Sequence, residues 1–258
     1  MDLLVFENVS YRIQNHILVD RLNLALSAGE MVALLGPNGA GKTSLVKLAA
    51  GLYTPSTGRI LLDGLPMQQA DPLVRAKKIA YLPQFQNIAW PMAGRDIVAL
   101  GRLPHHGIYG FANAADFAAI DCAIHKTGVQ AYADRPITQL SGGEQAAIKM
   151  ARLLAGQTDI LLLDEPIQSL DPARQLAIMG LLAAEAAAGK AVLVILHDLT
   201  LAARFCARLL LMKQGQIIAD GTAEQTLTRA NLQAVFNIHA ELGKTEKGAY
   251  IIPVKPLS

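Results

Sequence analysis

MVALL (Met31–Leu35), GPNGAGKT (Gly36–Thr43) and TSLVKLAA (Thr43–Ala50) run on without a break, and reading them together decides the fold. The middle segment has the spacing G-x-x-x-x-G-K-[ST]. This is a glycine-rich loop whose backbone N–H groups wrap phosphate oxygens, because glycine takes positive φ and has no Cβ in the way. Gly36, Gly39 and Gly41 supply that freedom, and Pro37, Asn38 and Ala40 fill the loop between them. Lys42 is placed to reach the β and γ phosphates of ATP as a point charge. The Thr43 hydroxyl is placed to ligate Mg²⁺ beside them, with Ser44 next along the same turn. The flanks agree. MVALL reads as a buried strand and TSLVKLAA has helical apolar spacing, so bound phosphates would face a helix N-terminus.

Downstream, the aliphatic run Ile160–Leu163 ends abruptly in Asp164 and Glu165. A buried parallel strand reads this way, and its C-terminal end is where α/β sheets place their chemistry. Asp164 would hold the Mg²⁺ shell and Glu165 would polarise a water for attack on the γ phosphate. An acidic pair after a strand is also an ordinary helix cap or turn; its place downstream of a phosphate loop tips the reading towards catalysis. LSGGEQ (Leu140–Gln145) puts Ser141, Gly142 and Gly143 ahead of a predicted helix, Glu144–Ala155, with Ile148, Met150, Ala151, Leu153 and Leu154 on its apolar face. By spacing alone this is either a capped core helix or an anion site built from the same exposed N–H groups.

These three motifs together resemble the ATP-binding subunits of ABC transporters over nearly the whole chain, LSGGEQ being the most specific mark. The resemblance implies an α/β fold: a P-loop NTPase core of the ABC ATPase type, with an N-terminal antiparallel β subdomain and an inserted α-helical subdomain. It implies that Ser141, Gly142, Gly143 and Glu144 meet ATP held by the P-loop of a second copy, giving a head-to-tail dimer with two sandwiched nucleotides. Tyr11, after the alternating strand Leu4–Ser10, matches the aromatic that stacks on adenine, or is a rim aromatic of that sheet. Gln84 in YLPQ matches the glutamine that touches Mg²⁺ and the attacking water. Asp171 in SLD matches the loop that signals across the dimer, and His197, closing the strand Val192–Leu196, matches a γ-phosphate contact. Two departures stand out: Ala146 and Ala147 where polar or basic residues are usual, and Ile167 and Gln168 where a small polar pair is usual.

The segments Val98–Gly110 and His197–Thr222 further resemble the ATPases of importers for iron–siderophore complexes, haem and cobalamin. That resemblance implies integral membrane permease subunits as partners, a substrate-binding protein reached indirectly, and a peripheral position on the cytoplasmic face of the inner membrane. A zinc or manganese importer ATPase and a soluble non-transport ATPase are the alternatives. Phe85, Ile88 and Trp90 would lie near the groove that receives the permease, or pack in the subdomain core. His105 and His106 read as a loop feature, since an adjacent pair without further ligands makes a weak metal site.

Composition fits. With 258 residues there is ample material for a core and an inserted subdomain. Much of the hydrophobic fraction of 52% is alanine, in segments such as Leu181–Ala188, and every long apolar stretch is broken by charge, Pro or Gly before it could span a bilayer. No basic, apolar, small-residue leader is read at the start, so membrane association is expected through a partner. Net charge is +2 with basic residues scattered, which leaves no footprint for nucleic acid. Cys122 and Cys206 are expected to be reduced thiols, both buried as small hydrophobes. The expected organisation is an antiparallel β part over 1–30, a nucleotide-binding core over 31–87 and 157–221, a helical signature subdomain over 88–156, and a C-terminal extension over 222–258 that holds a short helix and one last strand.

Overall fold

A computed structural model of the chain describes residues 1–84, 90–106, 111–245 and 248–256. Phe85 and Ile88, the apolar pair expected near a permease groove or subdomain core, lie outside them, as does the end of the importer-like segment, 107–110. Trp90 is described and is exposed.

In chain order the strands are β1 (Asp2–Ile13), β2 (His16–Ser27), β3 (Met31–Leu35), β4 (Thr57–Leu62), β5 (Leu65–Pro66), β6 (Ile79–Leu82), β7 (Ile160–Asp164), β8 (Ala191–Ile195), β9 (Arg208–Lys213), β10 (Gln216–Gly221), β11 (Ile238–Thr245) and β12 (Gly248–Pro256). The α-helices are α1 (Lys42–Ala49), α2 (Pro72–Lys78), α3 (Gly94–Ala99), α4 (Ala114–Thr127), α5 (Gly142–Ala155), α6 (Pro172–Ala187), α7 (Leu199–Phe205), α8 (Ala223–Thr226) and α9 (Arg229–Phe236).

The central sheet has the order β10-β9-β3-β8-β7-β6, parallel throughout except for β10. MVALL, ILLLD and AVLVI are buried at every position. Continuous aliphatic runs of this kind are what a parallel strand covered on both faces requires. The two-residue period then sorts the side chains. Met31, Ala33, Leu35, Leu161, Leu163, Val192 and Val194 join a core shared with α4, α5 and α6. Val32, Leu34, Leu162, Leu193 and Ile195 join a second core with α1 and the antiparallel strands.

That antiparallel sheet, β2-β1-β4-β5, carries Leu22, Leu24 and Leu26 on its buried face, as the alternation predicts. It reaches beyond residue 30: β4 pairs with β1 and closes the second core through Ile60 and Leu62. Between β6 and β7 lie α3, α4 and α5. Arg102, 5% exposed, ties them together by donating to Asp116 at 2.9 Å and to the Ala155 carbonyl at 2.9 Å. His105 lies 2.9 Å from the Gly156 carbonyl and His106 3.2 Å from Asp116, so both serve this packing.

Three expectations need correction. The signature helix begins at Gly142 rather than Glu144, because Ser141 caps it and its two glycines form the first turn. The C-terminal extension is not one strand but a hairpin, β11 with β12, docked beside α9. Cys206 is buried and its thiol is pushed up to about 12 by that burial, but Cys122 is exposed on the solvent side of α4; both are free.

Candidate functional site

The strand order assembles the site. β3, β8, β7 and β6 lie side by side, with Leu34 level with Ile195, Ile195 with Asp164, and Leu163 with Leu82. Whatever follows these strands must therefore meet at one edge of the sheet: the glycine loop after β3, His197 after β8, Glu165 after β7 and Gln84 after β6. Side chains 81 and 32 residues apart along the chain do meet there. Gln84 Nε2 donates to Glu165 Oε2 at 2.8 Å, and His197 Nε2 lies 2.6 Å from Glu165 Oε1. A carboxylate can only accept, so the imidazole Nε2 carries the proton in this pair. Gln84 spends its second amide hydrogen on Gln168 Oε1 at 3.2 Å, which fixes the face it turns to Glu165.

The glycine loop is shaped by close approach. A Cβ on Gly36 would sit 2.2 Å from the Met212 carbonyl oxygen, and one on Gly41, at φ +102°, 2.1 Å from that of Leu18. No side chain fits either place. Lys42, 7% exposed, folds back to donate to the carbonyls of Gly36 at 2.7 Å and Pro37 at 3.0 Å. Burial lowers its pKa, against the opposing pull of Glu165 and Asp164. Residues 38–44 line a cavity of 380 Å³ whose other walls are Leu18, Gln84 and Glu165, so the loop and the carboxylate share one space.

Asp164 is 2% exposed; burial raises its pKa, against the Thr43 hydroxyl that donates to it, and neighbouring Glu165 adds to the rise. Its Oδ1 has no partner among the described residues. An orphaned buried carboxylate oxygen beside a threonine hydroxyl is a hard, all-oxygen donor set of the kind Mg²⁺ takes. Glu165 itself sits at φ +54° and Ser169 at φ +62°. A non-glycine residue there costs roughly 1–2 kcal/mol.

The other sequence-predicted positions lie apart from the loop. Ser141 closes a capping box: its N–H and hydroxyl both donate to Glu144 Oε2, at 2.8 and 2.7 Å. Neither Ser141, Gly142 nor Gly143 lines the glycine-loop cavity. Gly142 instead faces a smaller one, 240 Å³, shared with Gln84, Asp164, Glu165, Ala146 and Lys149. Asp171 caps α6 by accepting from the Arg174 N–H at 3.0 Å, and the Arg174 guanidinium lies against Gly143. Tyr11 falls inside β1 rather than after it, and its ring stacks on Tyr53 at 4.9 Å. It too lies off the glycine-loop cavity.

Leu18, Lys149, Gln168 and Arg174 belong to these sites and were not legible as such. Only Gln168 carried a signal, as a departure from the expected small polar pair.

A sequence profile described as "ABC transporter" matches residues 19–168, more than half of the chain. The chain belongs to the ABC transporter family. This ABC protein is 40% identical over 224 residues to the hemin import ATP-binding protein of Nocardia farcinica, covering 87% of this chain and 77% of that one. It is 35% identical over 243 residues to the iron(3+)-hydroxamate import ATP-binding protein of Bacillus subtilis, covering 94% and 90%. Among solved structures, a metal-chelate type ABC transporter in an inward-facing conformation superposes with a TM-score of 0.84 at 27% identity, covering 100% of this chain and 98% of that one. Within its family the chain is the ATPase.

Proposed function

We propose that this ABC ATPase energises the import of an iron chelate, such as an iron–siderophore or haem-type complex. The support is that two relatives aligned over most of the chain are both named for iron-compound import, and that the full-length structural neighbour is of metal-chelate type. The proposed setting is the cytoplasmic face of the membrane, with permease subunits as the anchor. No described helix is long and apolar enough to cross a membrane, which is consistent with attachment through such a partner.

The chemistry rests on one observation: Glu165 is held between Gln84 and His197 while facing the glycine loop. The loop N–H groups and Lys42 would receive the phosphates. Glu165 would take a proton from water as the water oxygen bonds to the γ phosphorus and ADP leaves. Gln84 and His197 would fix the carboxylate, and His197 would touch the γ phosphate. Catalysis of this kind is positioning plus charge stabilisation. Thr43, Gln84 and Asp164 would hold a Mg²⁺ ion, which would supply positive charge to offset that of the phosphates. Tyr11 would stack on adenine once its ring leaves, or shares, the Tyr53 face. Because Ser141, Gly142 and Gly143 lie off the glycine-loop cavity, their proposed contact is with nucleotide on a second copy, signalled through Asp171. The Ser141 hydroxyl would then exchange its bond to Glu144 for the phosphate.

The test is to isolate the tagged chain from detergent-solubilised membranes of its host and identify what accompanies it. Recovery of a polytopic permease, with chelate uptake lost on deletion, is the expected result. A chain that stays soluble and brings down no membrane protein would replace this reading with a non-transport ATPase. Zinc or manganese uptake through the recovered permease would replace only the cargo.

A further inference from the structure

His197 is 46% exposed along its side chain, and its one side-chain hydrogen bond among the described residues runs to Glu165. Its position is therefore set by the backbone on either side: β8 behind it and α7 ahead. β8 is central in the sheet and fully buried. Helix α7 has only seven residues, capped by Asp198, whose Oδ1 accepts from the Leu201 N–H at 2.9 Å. A helix this short has little stability of its own. Ala202 is its one fully buried residue.

From outside, α7 packs on α6 and β3 and, most extensively, on β12 of the C-terminal hairpin. The Thr200 hydroxyl donates to the Ile251 carbonyl at 3.2 Å and accepts from the Ile251 N–H at 3.1 Å. One side-chain oxygen thus satisfies both backbone groups of a single residue, as a neighbouring strand would. Ile251 is 6% exposed and packs into the main core, so the clamp is anchored on its far side. A cavity of 480 Å³ lies among His197, Asp198, Thr200, Phe236, Ile238 and Pro253. Leu199 and Leu201 pack on the main core, and the paired hydrogen bonds add a directional tie from Thr200 to β12 that this packing does not supply.

We infer that Thr200 is a positioning residue for ATP hydrolysis: by clamping α7 to β12 it holds His197 at Glu165, and so makes the C-terminal hairpin part of the active-site support. This rests on the proposed role of His197. The sequence gives no hint of it, because Thr200 and Ile251 are 51 residues apart and both are ordinary for their elements.

The experiment measures single-turnover phosphate release and the KM for ATP with the full chain, for Thr200→Val, Thr200→Ser, His197→Ala and the Thr200→Val/His197→Ala pair. Valine keeps the shape and loses both hydrogen bonds; serine keeps both. The expected result is a rate about tenfold lower for Thr200→Val, the size two ordinary hydrogen bonds carry. KM should be unchanged because the glycine loop is untouched, and Thr200→Ser should return to within about twofold of the parent. In the His197→Ala background the valine should have no further effect, since residues acting through one group are non-additive. An impaired His197→Ala beside a Thr200→Val at the parental rate would overturn the clamp and leave the His197 reading standing. So would a further loss in the double variant. A His197→Ala at the parental rate would sink both.

Discussion

Glu165→Gln separates the chemistry of the site from its architecture. The carboxylate now accepts from Gln84 at 2.8 Å and from His197 at 2.6 Å. A glutamine can satisfy both partners: its oxygen accepts from Gln84, and its amide donates to His197 Nε2 once the imidazole proton sits on Nδ1. Two charge-assisted bonds become neutral ones, a loss of about 1–3 kcal/mol in all. Removing the negative charge beside buried Asp164, whose carboxyl Glu165 helps to push up, returns part of that. The balance is a destabilisation of about 1 kcal/mol, or roughly 2–4 °C in Tm for a chain of this size. Turnover should respond on a different scale. An amide cannot take the proton of the attacking water, and a positioned general base contributes about 10²–10⁴-fold. The assay pairs steady-state phosphate release with nucleotide binding and size-exclusion chromatography in ATP. ATP affinity should be kept, turnover should fall at least about a hundredfold, and an ATP-bound dimer should accumulate. Turnover within a few-fold of the parent would show that Glu165 is not the base. A collapse in Tm would show instead that the charge is structural.

Lys42→Ala should weaken ATP binding by about a hundredfold or more, because it removes a cation that makes charge-assisted contacts, each worth about 1.5–3 kcal/mol; an unchanged Kd by calorimetry would refute the loop assignment. Gly41→Ala puts a Cβ 2.1 Å from the Leu18 carbonyl oxygen at φ +102°, so both Tm and nucleotide binding should fall, and a Tm within 2 °C of the parent, about 0.5–1 kcal/mol, would contradict that packing. Glu185 is 3% exposed; burial pushes its carboxyl up, but hydrogen bonds from Lys126 and Lys190 outweigh this and hold it below the usual 4.5. A depressed carboxylate contributes stability above its unfolded value and loses it as pH falls through the folded one. Glu185→Gln should therefore lower Tm at pH 7 and match the parent in acid below that range; a deficit that stays constant with pH would refute the ion-pair account.

The sequence made the sheet legible because a buried parallel strand has so few ways to be written. MVALL, ILLLD and AVLVI carry no polar residue except the terminal Asp164, and each became a fully buried strand. The antiparallel part was legible for a different reason, the two-residue alternation of Leu22, Leu24 and Leu26. Its true extent was not, because β4 joins it from the far side of α1 and only the tertiary pairing with β1 reveals this. The hairpin partner β11 was missed on similar grounds: IHAELGKT alternates weakly and is charged, and its strand state depends on pairing with β12. Cys122 was misplaced because residue type alone says buried, whereas the phase of α4, set by Ala119, Ile120, Ala123 and Ile124, turns it outward.

The site divides along the same line. The glycine loop can be read from its own local spacing. Gln84 and His197 cannot, since nothing local distinguishes them from other polar residues after a strand, and only the resemblance points to them; Glu165 is read from its place after an aliphatic strand downstream of the loop. Yet the strand order β8-β7-β6 accounts for the meeting of all three without the resemblance, because residues following adjacent parallel strands at one level must converge. What that order does not explain is the backbone at the end of β7. Glu165 and Ser169 both hold positive φ, and Asp164, at the end of the strand, keeps a buried oxygen without a partner among the described residues. Local preference and polar satisfaction are both broken within one short turn, directly after a strand buried at every position. A chain tolerates such a concentration only where the rest of the fold over-determines it. Here the constraint is visible: Gln84 from β6 and His197 from β8 grip Glu165 from either side, so the strained residue is the one held by both neighbouring strands. The strain and the grip point to the same atom pair, the two carboxylate oxygens of Glu165, as the place where the sheet delivers its chemistry.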